Sequence, residues 1–233
     1  MNLWSRKMPG QQPRPAPLGA AVPRRKRVSP STMAKAEDKQ AEEPETSGNL
    51  SRVDYGELTA AEFGTLVHAA WEEIIWKDAE TRPAWIEDNA TRNLPQSVVY
   101  NALQQPEIVA LFTSKPGQEV YNEQPIVAVT DKNEWLSGTI DRLVLTVDDH
   151  GKVTAAHIID FKTNQLAPDK KESYDALKKE YTAQMTAYRK HVAAALGIPE
   201  SDVAVSLLSS PLDIPATILP YAPSELEERK YAL

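Results

Sequence analysis

The hydrophobic pattern of this chain changes period at Lys115-Pro116-Gly117, and that change determines the class of fold it can adopt. Before the break, apolar residues recur at the three- and four-residue spacing of amphipathic helices. After it, the pattern becomes strand-like and is then interrupted by one long helical stretch. The predicted strands are 120–129, 134–147, 153–160, 203–208 and 216–221, with the long helix over 170–196. This order predicts an α/β fold with a mixed sheet flanked by helices.

Short local signals mark where these elements begin and end. Thr59 and Glu62 have the spacing of a capping box, which predicts a helix starting near Thr59. Residues 93–112 read as one or two shorter helices interrupted at Pro106. The turn at 148–151 predicts a hairpin with Gly151 at positive φ. Gly197 and the proline that follows it predict the end of the long helix.

The first 50 residues differ from the rest in charge and proline content. Residues 1–30 carry seven basic residues and no acidic one, although the whole chain has a formal net charge of -7. Residues 31–233 therefore carry a net charge of -14. Seven of the 18 prolines lie in the first 44 residues. We predict a disordered basic, proline-rich tail over 1–50 and a folded domain over 51–233; the tail could be a linker, a nucleic-acid arm or a transit sequence.

Cysteine is absent from the sequence, which removes several kinds of site. Disulfide frameworks, thiolate zinc sites, a cysteine nucleophile and a cysteine-ligated iron–sulfur cluster are all excluded. No apolar run approaches a membrane span, and the start does not resemble a secretory signal. We therefore expect an intracellular, cytoplasmic protein that does not enter a membrane.

The residues best suited to chemistry stand at the end of the third predicted strand, where Asp160-Phe161-Lys162 follows an apolar run. Because side chains alternate along a strand, Asp160 and Lys162 share a face and Phe161 lies opposite. Burying both charges is costly unless they pair or bind a metal ion. A solvated ion pair at a strand end remains the alternative.

A second carboxylate is expected close to Asp160. Pairing the two strands about the midpoint of Asp149 and His150 brings Asp141 to the level of Asp160 within two residues, a difference that a bulge can absorb. Two carboxylates at one end of a sheet can hold a hard divalent ion such as Mg²⁺.

Five motifs occur in a fixed order along the chain, and together they are more specific than any one of them. They are Gly64-Thr65-Leu66-Val67-His68, Glu123-Gln124-Pro125-Ile126, Gly138-Thr139-Ile140-Asp141, Asp160-Phe161-Lys162-Thr163 and the segment Tyr181 to Tyr188. Over residues 50–225 this set resembles the RecB-type nuclease module of the PD-(D/E)XK superfamily. It is most similar to the C-terminal nuclease domain of AddA-like helicase–nucleases of the UvrD family. The resemblance implies a restriction-endonuclease-like fold.

The resemblance also implies roles for individual residues. Asp141 and Asp160 match the two metal-binding acids, and His68 matches a histidine ligand on a helix. Lys162 matches the lysine that orients the attacking water or stabilises developing charge. Glu123 matches an acid just before the second strand, whose function is less defined. Gln184 and Tyr188 match a motif that positions DNA or the lysine. The backbone carbonyl of Phe161 is a possible further ligand.

Each of these residues also has a structural alternative. His68 could be an ordinary helix histidine, and Glu123 could form a salt bridge at a strand edge. Gln184 and Tyr188 are four residues apart and could be a hydrogen-bonded pair on a helix surface.

The resemblance implies a Mg²⁺-dependent DNA nuclease, with Mn²⁺ as a possible substitute and no iron–sulfur cluster. The expected activity is exonucleolytic, on single-stranded DNA, in double-strand-break repair and recombination near the nucleoid. Because no P-loop motif is found, we expect the ATPase motor on a separate helicase partner, beside an AddB-like subunit. The chain would then be a detached or free-standing nuclease. The alternative is a DNA-binding or docking module that has the nuclease fold and needs a helicase partner for activity.

Overall fold

The computed structural model describes residues 27–28, 54–76, 83–129, 135–166 and 170–226. Apart from residues 27–28, the predicted tail over 1–50 lies outside the described residues. Arg27 and Val28 form a two-residue strand that pairs in parallel with Trp135 and Leu136, an element the sequence did not predict.

A mixed sheet forms the centre of the structure, as predicted. The strands are β1 (Arg27–Val28), β2 (Gln118–Val129), β3 (Trp135–Val147), β4 (Val153–Lys162), β5 (Val203–Ser209) and β6 (Thr217–Pro220). The main strands follow the order β2-β3-β4-β5-β6, and the two-residue β1 pairs with β3. The β4–β5 pair is parallel, whereas β2–β3, β3–β4 and β5–β6 are antiparallel.

The helices lie on both faces of the sheet and begin where the sequence places their caps. Thr59 accepts a hydrogen bond from the backbone N–H of Glu62, whose carboxylate accepts one from the N–H of Thr59, so the predicted capping box is confirmed. Pro106 opens the second of two helices in the 93–112 segment. The helices are α1 (Ala60–Glu72), α2 (Ala84–Glu87), α3 (Leu94–Ala102), α4 (Pro106–Phe112) and α5 (Lys170–Leu196), with 3-10 turns at Glu200–Asp202 and Pro223–Glu225.

Alternation along the strands divides the buried apolar residues into two clusters. Ile158 packs with α5 on one face of the sheet, together with Met185 and Val192. Ile159 and Phe161 pack on the other face, where α1, α3 and α4 supply the buried aromatic and aliphatic side chains. Each large side chain buried in this way contributes roughly 1.5–3 kcal/mol. The sheet is therefore held between α5 and the α1, α3 and α4 layer.

The β3–β4 hairpin explains why the predicted register was offset by two residues. The pair nearest the turn is Val147 with Val153, whereas the predicted centre would pair Val147 with Lys152, one residue earlier. A register shift between Thr146 and Val147 supplies the second residue. Gly151 has φ +75°, as predicted for this turn. Beyond this shift, regular pairing continues as far as Arg142 with Ile159. The next residues along the two strands are the acids Asp141 and Asp160, which therefore lie side by side.

A partly buried histidine makes the stability of this sheet dependent on pH. The His157 ring lies 2.9 Å from the Ser206 hydroxyl, and burial, with the nearby positive charges of Arg142 and Lys115, lowers the pKa of His157 to about 4. Between pH 6.5 and 4 the unfolded chain binds a proton that the folded chain does not, so stability falls as pH falls. We expect the wild type to lose about 1–2 kcal/mol more than His157→Gln between pH 7 and pH 5, measured by urea unfolding.

Replacing the exposed turn histidine by His150→Gln is the matched control. This variant should follow the wild-type pH profile, because its side chain is not buried. Equal pH slopes for wild type and His157→Gln would contradict the prediction.

Candidate active site

Most of the residues singled out in the sequence meet at one end of the sheet. Asp141 lies on β3, and Asp160 and Lys162 lie at the end of β4. His68 approaches from α1 on one face of the sheet, and α5 covers the other face with Gln184 and Tyr188. A single site is thus formed by β3, the end of β4 with the turn after it, and one helix from each face of the sheet.

Asp160 is the most enclosed member of this site, with 2% of its side chain exposed. Its Oδ2 forms an ion pair with the Lys162 ammonium, and its Oδ1 accepts a hydrogen bond from Gln184 Nε2 at 3.2 Å. Lys162 is also largely buried, with 13% of its side chain exposed. The alternative of a solvated surface pair is therefore wrong for these two residues.

Lys162 remains protonated despite its burial. Burial lowers the pKa of Lys162, but the nearby carboxylates of Asp160 and Asp141 outweigh that effect and raise the pKa above its ordinary value. The site therefore holds a fixed positive charge at neutral pH.

Asp141 lies one residue beyond the last paired position of β3 and β4. Its Oδ2 accepts a hydrogen bond of 2.6 Å from the backbone N–H of Phe161. Burial and the neighbouring charge of Asp160 raise the pKa of Asp141 to about 8, against the opposing effects of the Phe161 N–H and Lys162. The raised pKa means that the protein supplies too little positive charge for both acids to be ionised at neutral pH, so a bound cation would favour the charged form of Asp141.

His68 stands beside Asp141, with 3.6 Å between its Nδ1 and Asp141 Oδ2. Burial, together with the positive charge of Lys162, lowers the pKa of His68, so its imidazole is neutral at neutral pH. A neutral imidazole is the form that binds metal ions. The Phe161 ring packs edge-on against His68 at 5.9 Å and stacks on Trp71, on the face opposite Asp160.

The donor atoms of the site suit a divalent ion in chemistry but are not drawn together around one. Across the described residues, no three His, Asp or Glu side chains stand close enough together to bind an ion. The chemistry fits a hard cation, because two carboxyl groups that cannot both be ionised without added positive charge lie beside a neutral imidazole. The residues that could hold such an ion are His68, Asp141, Asp160 and the carbonyl of Phe161.

Gln184 and Tyr188 are buried beneath the site rather than exposed on α5. The Tyr188 hydroxyl donates a 2.6 Å hydrogen bond to the carbonyl of Thr139 on β3, and the Gln184 side chain donates one to Asp160. Burial raises the pKa of Tyr188, which keeps its hydroxyl protonated as a donor. These two residues thus tie α5 to both acid-bearing strands.

Glu123 does not precede a strand, as the resemblance implied, but lies inside β2. Its φ of +50° is a left-handed conformation that non-glycine residues seldom adopt. Pairing with β3 is recorded for Asn122 and Gln124 on either side of it. The strand continues because only one residue departs from the ladder. Burial and the charges of Glu72 and Asp160 raise the pKa of Glu123, which indicates that it belongs to the same acidic environment.

Strand β3 is rotated where it carries Asp141. Ile140 packs in the cluster against α5, whereas Arg142, two residues later, lies over Phe112 on the opposite face. In a regular strand two such residues would share a face. The rotation, next to the left-handed Glu123, places Asp141 between His68 and the backbone of β4.

Two residues important to the site were not assigned a role from the sequence. Arg142 is fully buried and donates hydrogen bonds to the carbonyls of Ile74 and Ile75, just past the end of α1. Tyr181 presents its ring 4.3 Å from the Lys162 ammonium. A charged residue within an alternating apolar strand was a usable signal for Arg142, and the position of Tyr181 at the start of the fifth motif was a usable signal for that residue.

Gly64 allows α1 to approach β4 closely enough for His68 to reach the site. A Cβ at this position would lie 2.9 Å from Thr163 Oγ1. We expect Gly64→Ala to lower the free energy of unfolding by about 1 kcal/mol, although alanine favours helix. In a Thr163→Ala background, which removes the clashing atom, the same change should raise stability by up to about 1 kcal/mol. Additive effects in a urea-unfolding double-mutant cycle would contradict this close contact.

A protein-family model, that of the PD-(D/E)XK nuclease superfamily, matches residues 45–229. The chain belongs to the PD-(D/E)XK nuclease superfamily. The match spans strands β2 to β6, their flanking helices and every residue of the site described above. Members of this superfamily are typically nucleases and generally use divalent ions such as Mg²⁺. A comparison with curated protein sequences gives no significant match.

Among the described helices of this nuclease-superfamily chain, none has the length and apolar character needed to cross a bilayer.

Proposed function

We propose that this protein is a Mg²⁺-dependent DNA nuclease that hydrolyses phosphodiester bonds. The observation that carries the proposal is the buried group of Asp141, Asp160 and a protonated Lys162, where the end of β4 lies beside the middle of β3. Phosphodiester hydrolysis requires an activated water and stabilisation of negative charge on the reacting phosphate. This group supplies acidic ligands for a cation and a fixed positive charge in one place.

Each side chain has a distinct task in the proposed reaction. His68, Asp141, Asp160 and the Phe161 carbonyl would hold the ion, which when bound would lower the pKa of water and neutralise phosphate charge. Lys162 stabilises the charge that develops on the phosphate. Glu123 adds negative charge beside Asp141.

Gln184 and Tyr188 act by holding the strands. Gln184 orients the Asp160 carboxylate through its 3.2 Å hydrogen bond, and Tyr188 fixes β3 through the carbonyl of Thr139. Both therefore keep the two acids at the spacing on which the site depends.

The finer function follows from the RecB-type and AddA-like resemblance of the motifs. We propose an exonuclease on single-stranded DNA that acts in double-strand-break repair and recombination, with a helicase motor and an AddB-like subunit as partners. It would work in the cytoplasm at the nucleoid. Mn²⁺ could replace Mg²⁺, and no iron–sulfur cluster is involved.

The test is cleavage of end-labelled single-stranded DNA by the full chain, with Mg²⁺, with Mn²⁺ and with EDTA. We expect stepwise shortening of the DNA with either ion and loss of cleavage in EDTA. A duplex of the same sequence measures strand preference. No cleavage with either ion, or cleavage that persists in EDTA, would count against a metal-dependent nuclease.

A docking module that cuts poorly alone is the second candidate. It is favoured by one observation: both oxygens of Asp160 and one oxygen of Asp141 already contact protein donors, namely Lys162, Gln184 and the Phe161 N–H. This function predicts DNA binding without turnover by the isolated chain, and cleavage only after a helicase partner is added. Robust cleavage by the chain alone would reject it.

A further inference from the structure

The Lys162 ammonium has two partners of different kinds. On one side it forms an ion pair with Asp160, and on the other it lies 4.3 Å from the centre of the Tyr181 ring. This distance is within the range of favourable cation–π contacts. The lysine is therefore held between a carboxylate and an aromatic face.

These two partners have different effects on the charge of the lysine. A carboxylate restrains an ammonium but also neutralises it, which weakens its attraction to a phosphate. An aromatic ring attracts the cation through its quadrupole and leaves the net charge unchanged. Only the ring can hold Lys162 in place while leaving its full charge for a substrate.

The Tyr181 ring is itself fixed in position. Its ring packs at the edge of the apolar cluster between the sheet and α5. Its hydroxyl lies near the side chains of Asn164, in the turn after β4, and of Glu180. A ring held by this packing can orient a flexible lysine side chain.

We propose that Tyr181 is the positioning residue for Lys162, holding its ammonium toward the reacting phosphate through the face of the ring. This inference rests on the proposed nuclease function. Gln184 and Tyr188, to which the resemblance assigns such a role, instead hydrogen-bond Asp160 and the carbonyl of Thr139. In this chain the contact with the lysine comes from a residue one turn earlier on α5.

The test compares Tyr181→Phe, which keeps the ring, with Tyr181→Leu, which removes it. On single-stranded DNA with Mg²⁺, Tyr181→Phe should keep kcat within about twofold of wild type. Tyr181→Leu should lower kcat about tenfold and leave KM within about twofold. Tyr174→Leu is the matched control, because Tyr174 lies two turns earlier on α5 and bonds Thr217 instead. It should cleave at the wild-type rate.

A second measurement reads the contact in the metal-free protein. The ε-methylene protons of Lys162, assigned by comparison with Lys162→Arg, should resonate upfield in wild type and Tyr181→Phe because they lie over a ring. The shift should vanish in Tyr181→Leu. If that variant does not fold, Tyr181→Met fills more of the ring volume without an aromatic face and replaces it in both measurements.

Three results would overturn the proposal. They are a kcat for Tyr181→Leu within twofold of wild type, an equal loss in Tyr181→Phe, and unshifted Lys162 protons in the wild type. If the wild type itself does not cleave DNA, the proposed function fails and the catalytic role of Tyr181 fails with it. A cleaving wild type with an unaffected Tyr181→Leu variant rejects only the role of Tyr181.

Discussion

Replacing Asp160 by asparagine should lower the rate of DNA cleavage by a factor on the order of 10³ or more. Asparagine has nearly the same shape but lacks the negative charge that a divalent ion requires. It also leaves the buried Lys162 ammonium without the carboxylate that raises its pKa. The measurement is single-turnover cleavage of single-stranded DNA with Mg²⁺. Asp175→Asn, on the exposed side of α5, is the control and should cleave at the wild-type rate.

A double variant separates chemistry from folding in this experiment. Asp160→Asn alone should also lower the free energy of unfolding by about 3 kcal/mol, because it leaves a buried charge unpaired. Combining it with Lys162→Met removes both charges, so most of that stability should return while cleavage stays absent. Cleavage by Asp160→Asn above about a tenth of the wild-type rate would reject the role of this residue.

Replacing Arg142 by methionine should lower the free energy of unfolding by about 3–4 kcal/mol. The Arg142 guanidinium donates to the carbonyls of Ile74 at 2.9 Å and Ile75 at 2.8 Å, and to Asn122 Oδ1 at 3.2 Å. It also lies over the ring of Phe112 at 4.3 Å. Methionine fills part of the volume but leaves these buried acceptors without donors. Urea unfolding of the full chain measures the loss.

Arg92→Met is a matched control for Arg142. Arg92 also donates to two carbonyls, those of Trp85 and Ile86, and lies 3.5 Å from the centre of the Tyr100 ring, but it is partly exposed. Because water can replace its hydrogen bonds, its removal should cost less than about 1 kcal/mol. The loss of unfolding free energy for Arg142→Lys should be intermediate, because one ammonium cannot reproduce the several fixed N–H donors of the planar guanidinium. Equal losses for Arg142→Met and Arg92→Met would contradict the importance of burial.

Arg142 keeps its positive charge despite its burial. Burial lowers the pKa of Arg142 to about 9, so the side chain is still protonated at neutral pH. Its positive charge lies just past the C-terminal end of α1, where helix carbonyls concentrate partial negative charge. Arg142 therefore links the helix that carries His68 to the strand that carries Asp141.

The elements of the fold were largely predictable because their signals are local. The capping box at Thr59, the proline at 106 and the glycine at 197 each act on neighbouring backbone, and each marks a helix boundary in the structure. The short helix at Ala84–Glu87 was missed, because four residues are too few to show a period.

Long-range details of the sheet were less predictable. The level of Asp141 with Asp160 was predicted correctly, but only with a two-residue discrepancy left to a bulge or to the placement of the turn. Part of that discrepancy is a shift between Thr146 and Val147 that no residue type there requires. The left-handed backbone at Glu123 could not be predicted from the sequence either, because glutamate has no preference for that conformation.

The sequence by itself determined the mixed sheet and its helices, and it singled out Asp141, Asp160 and Lys162, because alternation and residue chemistry are properties of short segments. Only the tertiary structure decided that Asp160 and Lys162 form a buried pair, and that Tyr181 contacts Lys162. The same holds for the support that Arg142 gives α1. The physical reason is that burial and side-chain contact are set by elements distant in the sequence, and these decide whether a charge is solvated, paired or held in place.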